Sequence, residues 1–280
     1  MYEIVFLSVL ALVWIVFATV QDLKKREIAN WLNFSLVIFA LCFRFFYSLF
    51  HSGNFGFFYQ GLIGLLIFFI LGNLLYYGRL FAGGDAKLMI ALGTVLPFSE
   101  TFSVNLKLFG SFLFIFLFIG AVYSLAVSLA FSLNNFRKFR KEFRKQLREN
   151  KNIYNLILFL AIILVIIGIF SNAVLIYFGI IVFILPYLHL YAKAVDESCM
   201  IKKIKTSQLT EGDWLYKDIK IGRKNIKAGW DGLKKEEINA LRKKYKTVLI
   251  RHGIPFSPVF LISFLILLYS WKTGLWNSLW

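Results

Sequence analysis

The stretch IYNLILFLAIILVIIGIF, residues 153–170, runs for eighteen positions without a charged side chain. As a helix it would rise about 27 Å, close to the roughly 30 Å hydrocarbon core of a bilayer. Similar runs occupy about 4–20, 31–50, 57–77, 86–98, 106–133, 173–191 and 258–276. The fourth is short for a span and the fifth is longer than a span requires. The 280 residues are 59% hydrophobic and 19% aromatic, with a mean hydropathy of +0.70, outside the range of an ordinary soluble domain. The sequence therefore predicts an all-α polytopic membrane protein with about eight hydrophobic segments, six to eight of them full spans. The first is kept as a mature helix, because MYEIVF lacks a basic n-region and FATVQD offers no small-x-small cleavage site.

Charge orients the segments. Lys24, Lys25 and Arg26 follow the first, whereas HSGNFG after the second carries no Lys or Arg. Arg79 and Lys87 mark the third connection, and SETFSVN holds only Glu100. Residues 137–151 carry eight basic side chains, the turn at Ser171 and Asn172 none, and residues 193–251 sixteen. This alternation predicts that connections 1, 3, 5 and 7 face the cytoplasm and both termini lie outside. It also accounts for most of the net charge of +17, with anionic membrane lipids as the implied partner. No motif that reads RNA or DNA accompanies the charge, so no nucleic-acid partner is expected.

The expected organisation is a membrane core over 1–192, a small α+β cytoplasmic domain over 193–256 and a last transmembrane helix over 257–280. DGLKKEEINALRKKY, 231–245, has helical spacing, with Asp231 as a cap and Leu233, Ile238, Leu241 and Tyr245 near one face. Turn glycines and alternation in EGDWLYKDIKIGRKNI predict short strands. Pro255 and Pro258 in GIPFSPVF predict an extended lead-in to the last helix.

Metal chemistry finds little support. Cys42 and Cys199 form no C-x-x-C pair, and His51, His189 and His252 match no zinc-protease pattern. No metal site or cofactor is expected, and no serine stands out as a nucleophile. The acids are more informative. Of fifteen, eight lie in the cytoplasmic segment, Glu142 and Glu149 sit in the basic run, and Glu3 and Glu100 belong to the outer face. Asp22, Glu27 and Asp85 are left at cytoplasmic ends of membrane helices, where a carboxylate is costly unless it faces protein or water.

Asp22 closes the first helix, and Asp85 opens the fourth within FAGGDAKLMIALG, 81–93. The charge pattern puts both at the same face. Two neighbouring carboxyls do not ionise equally, so one holds a proton while the other stays basic. That is what aspartyl proteolysis requires: one group deprotonates water and the other donates to the scissile carbonyl. Gly83 and Gly84 beside the pair would let an extended substrate approach. For any single carboxylate, the alternative is an interfacial cap or a salt-bridge partner.

QDLKKREIAN, with Asp22, Arg26, Ile28 and Asn30, resembles the first-aspartate motif of the type IV prepilin peptidase and archaeal preflagellin peptidase family. AGGDAKLMIALG resembles its second motif, G-x-G-D before a basic residue and a helix, with Ala82 in place of the first glycine. GIPFSPVF is similar to the family's C-terminal proline-containing segment. The resemblance implies a membrane aspartic endopeptidase that cuts a short basic leader from pilin-like or archaellin precursors at the cytoplasmic membrane face. It implies Asp22 and Asp85 as the catalytic dyad, with Gly83 and Gly84 shaping the substrate-binding cleft. The cysteine-rich region of N-methylating bacterial members is not matched, so cleavage without methylation is expected, as in archaeal members. Glu27, Asp213 and Asp218 are candidates for an acidic patch that receives a basic leader.

Two other classes compete. In a cation or proton transporter the aspartates would relay charge, but such sites usually lie near the midplane, sometimes between inverted repeats. In a scaffold of a pilus or secretion machine they would be structural.

Overall fold

The computed structural model describes residues 2–221, 224–230 and 232–276. Among these are ten α-helices and five short strands, so the expectation of a helical membrane chain with a small α+β element before its last helix holds. The chain divides into two units, one running to Ser124 and resuming at Pro255, the other Leu125–Ile254. Six helices are long and apolar enough to cross a membrane: α1 (Tyr2–Lys25), α2 (Asn30–Tyr47, extended by a π turn over Ser48–Ser52), α3 (Gly56–Tyr77), α5 (Phe102–Asn134), α7 (Lys151–Phe170) and α8 (Ala173–Cys199). The chain is a multi-pass membrane protein.

The remaining helices are α4 (Gly83–Leu92), α6 (Phe136–Glu149), α9 (Lys235–Lys244) and α10 (Ser257–Thr273). The fourth apolar segment differs from the expected span over 86–98. Its helix has 10 residues, about 15 Å, half the hydrocarbon thickness. Beyond Leu92 the chain is irregular, yet residues 93–98 are all buried. Non-helical backbone at such depth requires partners within the protein. Arg44 of α2, itself 0% exposed, supplies them. Its guanidinium donates to the carbonyls of Thr94 (2.7 Å), Val95 (3.1 Å), Pro97 and Phe57 (2.9 Å), and it lies 4.2 Å from the Phe57 ring centre. Farther along, the Asn105 side chain accepts from Ser99 N–H and donates to the Ser99 carbonyl and Gln60.

α3 reaches this segment through backbone contact: a Cβ added at Gly64 would overlap the Gly93 carbonyl oxygen, so only hydrogen fits there. Around these elements, Leu7, Ala11, Ile15, Leu36, Phe68, Met89, Phe112, Phe116, Phe260 and Phe264 are buried in one apolar core.

In the second unit, the basic run expected as a connection is the helix α6. It turns Phe139, Phe143, Gln146 and Leu147 inward and leaves Arg137, Arg140, Lys141, Arg144, Lys145 and Arg148 exposed. The Phe139 ring meets Tyr191 of α8 edge-on. After α8, strands β1 (Ile201–Lys205), β5 (Thr247–Arg251) and β2 (Trp214–Leu215) form an antiparallel sheet in that order, while β3 (Ile219–Ile221) pairs with β4 (Lys224–Ile226). Leu209, Leu215, Ile226, Leu233, Ile238, Leu241, Val248 and Ile250 make their core. Arg251 binds Asp196 and Glu197 near the end of α8, and Tyr216 donates to Glu197.

Helix α9 starts at Lys235 rather than near 231, with the Glu237 carboxylate accepting from Lys234 N–H. Asp231, expected as its cap, lies outside the described residues.

Candidate active site

Along α1 the buried positions are Leu7, Ser8, Ala11, Ile15, Ala18, Thr19 and Asp22, a stripe with helical spacing. Asp22 is the last member of that stripe. It is 7% exposed, and it meets the start of α10. Its Oδ2 accepts from the backbone N–H of Ser257 (3.1 Å) and from Ser257 Oγ (2.7 Å).

One turn past Asp22 the helix stops. Arg26 N–H donates to the Asp22 carbonyl (2.8 Å), and Arg26 takes a left-handed φ of 60°, which turns the chain back on itself. Gln21 steadies the reversal by accepting from Ala29 N–H (3.0 Å). This folds Ile28 under the turn, 5% exposed, and lets Asn30 open α2.

Asp85 is the third residue of α4, where backbone N–H groups lack helical partners and an acid is favoured by the helix dipole. It is partly buried and close enough to Asp22 for the two charges to act on each other. The two aspartates singled out in the sequence thus lie within electrostatic range of each other in the first unit. Ala82, the departure from G-x-G-D, has a φ of −69°, a region open to any residue, so the substitution places no strain on the backbone.

The two glycines differ in their surroundings. A Cβ added at Gly84 would stand 3.2 Å from Ile28 Cβ, so Gly84 is where the second motif packs on the first. Among the described residues, a Cβ at Gly83 would meet only the Tyr76 ring, at 3.7 Å. A second tie joins the motifs: Lys87 Nζ donates to Asn30 Oδ1 at 2.6 Å. Tyr123 of α5 lies within electrostatic range of Asp22 and Arg26.

Glu27 is exposed. Asp213 and Asp218 accept from the backbone N–H groups of Thr210 and Ala228, each at 2.8 Å, and so shape turns of the small sheet unit. Among the described residues no three His, Cys, Asp or Glu side chains gather as a metal site.

Ser257, Lys87 and Tyr123 did not emerge from the sequence as site residues. Lys87 was visible as the basic residue after G-D, and Asn30 as a motif member of open role. Nothing in the sequence pairs Ser257 with Asp22, 235 residues away, before α1 and α10 are known to touch.

Comparison with known proteins points the same way. Residues 9–129, which contain both aspartates, match the model of the type IV leader peptidase family. Three relatives named preflagellin peptidase match: that of Methanocaldococcus jannaschii at 35% identity over 80 residues, of Methanococcus voltae at 30% over 88, and of Methanococcus maripaludis at 31% over 83. The matched stretches cover 29%, 31% and 30% of this chain, and 33%, 37% and 35% of the respective relatives, about a third of their length. No solved structure matches. Over residues 9–129 the chain is thus similar to the type IV leader peptidase family.

Proposed function

We propose that this chain is a member of the type IV leader peptidase family and an aspartic endopeptidase that removes the short basic leader from archaellin or pilin-like precursors. The observation that carries the reading is that Asp22 and Asp85 lie within electrostatic range of each other, inside the segment that matches the family. In this reading one carboxylate takes a proton from water while the other, as a neutral acid, donates to the scissile carbonyl. Gly83, with open space beside it, lines the path of an extended substrate. Gly84 holds the second motif against the first.

The dyad faces the cytoplasm. Supporting this is the alternation of basic and non-basic connections, which sets the ends of α1 and α3 and the starts of α4 and α10 on the basic side. Both termini then lie outside. Residues 193–256 form a cytoplasmic domain between the membrane core and the last helix, and anionic lipids are the natural partners of the basic face. Cleavage proceeds without N-methylation: the chain has two cysteines, Cys42 in α2 and Cys199 at the end of α8, and no cysteine-rich region of the bacterial kind. The archaeal names of the three relatives favour an archaellin-like substrate.

The test is to incubate membranes containing the protein with a precursor bearing a basic leader and to sequence the product's N-terminus. A single new N-terminus at the leader junction, free of methylation, is expected. A precursor left intact would refute the peptidase reading, and a methylated product would refute its last clause.

A further inference from the structure

Asp22 presents two oxygens, and α10 engages one of them. Ser257 donates to Oδ2 through both N–H and Oγ–H, and Ser257 is 0% exposed, so bulk water does not compete on that side of the carboxylate. The backbone donor belongs to the first turn of α10, where the positive end of the helix dipole favours an anion. Pro258 brings no N–H, and the N–H of Val259 is taken by the Phe256 carbonyl (3.0 Å). Ser257 is therefore the residue through which α10 reaches Asp22. A carboxyl oxygen that accepts two hydrogen bonds is not the one that carries a proton, so proton transfer at Asp22 falls to Oδ1. Among the described residues no comparable pair of donors serves Asp85.

We propose that Ser257 is a positioning residue that makes Asp22 the base of the pair, holding Oδ2 at the α10 N-terminus and leaving Oδ1 to receive the water proton, with Asp85 as the acid. This rests on the peptidase reading. In the first step a water proton passes to Asp22 Oδ1, the water oxygen bonds to the scissile carbon, and the Asp85 proton passes to the carbonyl oxygen. In the second, Asp22 returns its proton to the amide nitrogen, the C–N bond breaks, and a hydroxyl proton of the diol goes back to Asp85. Each carboxyl ends as it began. Tyr123 of α5 lies within electrostatic range of Asp22 and of Arg26 at the end of α1, while Lys87, two residues beyond Asp85, binds Asn30. Among the described residues, the side-chain oxygens of Asp22 receive their hydrogen bonds from Ser257.

The experiment compares wild-type protein, Ser257→Ala and Ser257→Thr in membranes, with a synthetic precursor carrying a basic leader. Removing one charge-assisted donor should lower kcat by about tenfold or more and leave KM within about twofold, since the substrate's own contacts are intact. Threonine keeps the hydroxyl and should return kcat to within about threefold of wild type. If alanine yields no folded protein, Ser257→Cys, a weak donor of similar volume, is held to the same criterion. A wild-type kcat in the alanine variant, or a threonine variant as slow as alanine, would overturn the assignment. Wild-type protein that leaves the precursor intact would instead refute the peptidase reading itself.

Discussion

Ile28 and Gly84 stand in direct contact: a Cβ on the glycine would lie 3.2 Å from Ile28 Cβ. One belongs to the turn after Asp22 and the other immediately precedes Asp85, so this contact packs the two aspartate-bearing segments against each other. Alanine at 84 asks Ile28 to give by a few tenths of an ångström and gains helix propensity, two small and opposed effects. Leucine has no such escape. Gly84→Leu should cost about 1–3 kcal/mol by overpacking and slow precursor cleavage more than it lowers stability. Adding Ile28→Ala should restore part of both, as read by thermal unfolding in detergent and by cleavage rate. A Gly84→Leu protein as stable and active as its parent would show that the motifs do not pack this tightly.

Lys87 and Asn30 form the second tie between the motifs, and it is accessible to water. Exposed interactions of this kind are worth little, about 0.2–1 kcal/mol. A double-mutant cycle of Lys87→Met and Asn30→Ala should return a coupling energy in that range, and one little changed by salt, since Asn30 carries no charge. Single-mutant costs that simply add would mean the bond does not persist in the membrane.

Arg44 is the residue on which the irregular half of the fourth segment depends. It donates to four carbonyls, three of them between Thr94 and Pro97. Each buried carbonyl left without a donor costs about 1–3 kcal/mol. Arg44→Met should therefore lose more than about 3 kcal/mol of stability, seen as a fall in Tm and in recovered folded protein. Arg44→Lys should be intermediate, because an ammonium cannot reproduce the guanidinium fork. Equal Tm values for the methionine variant and the parent would contradict this account of the segment.

What the sequence disclosed followed physical lines. The long spans were legible because length and apolarity alone decide them. Residues 86–98 were misjudged as one span because 93–98 are as apolar as the helix before them. What distinguishes them is a guanidinium some fifty residues earlier in the chain, a tertiary fact. Helix α6 was hidden by its charge, although Phe139, Phe143 and Leu147 at i, i+4 and i+8 were a usable signal. Asp22 and Asp85 stood out because, outside the basic run and the segment before the last helix, few acids lie at the cytoplasmic ends of the apolar segments. Ser257 is one serine among many, and its meaning depends on α1 touching α10.

The central claim is that Asp22 and Asp85 act as one catalytic pair, and the most direct measurement is the cleavage rate of Asp22→Asn and Asp85→Asn, each checked for folding by thermal unfolding. Each variant is expected to lose at least about a hundredfold in rate, with the double variant little worse than either single one, since residues that act as a unit are not additive. Cleavage near the parent rate in either folded single variant would contradict the account.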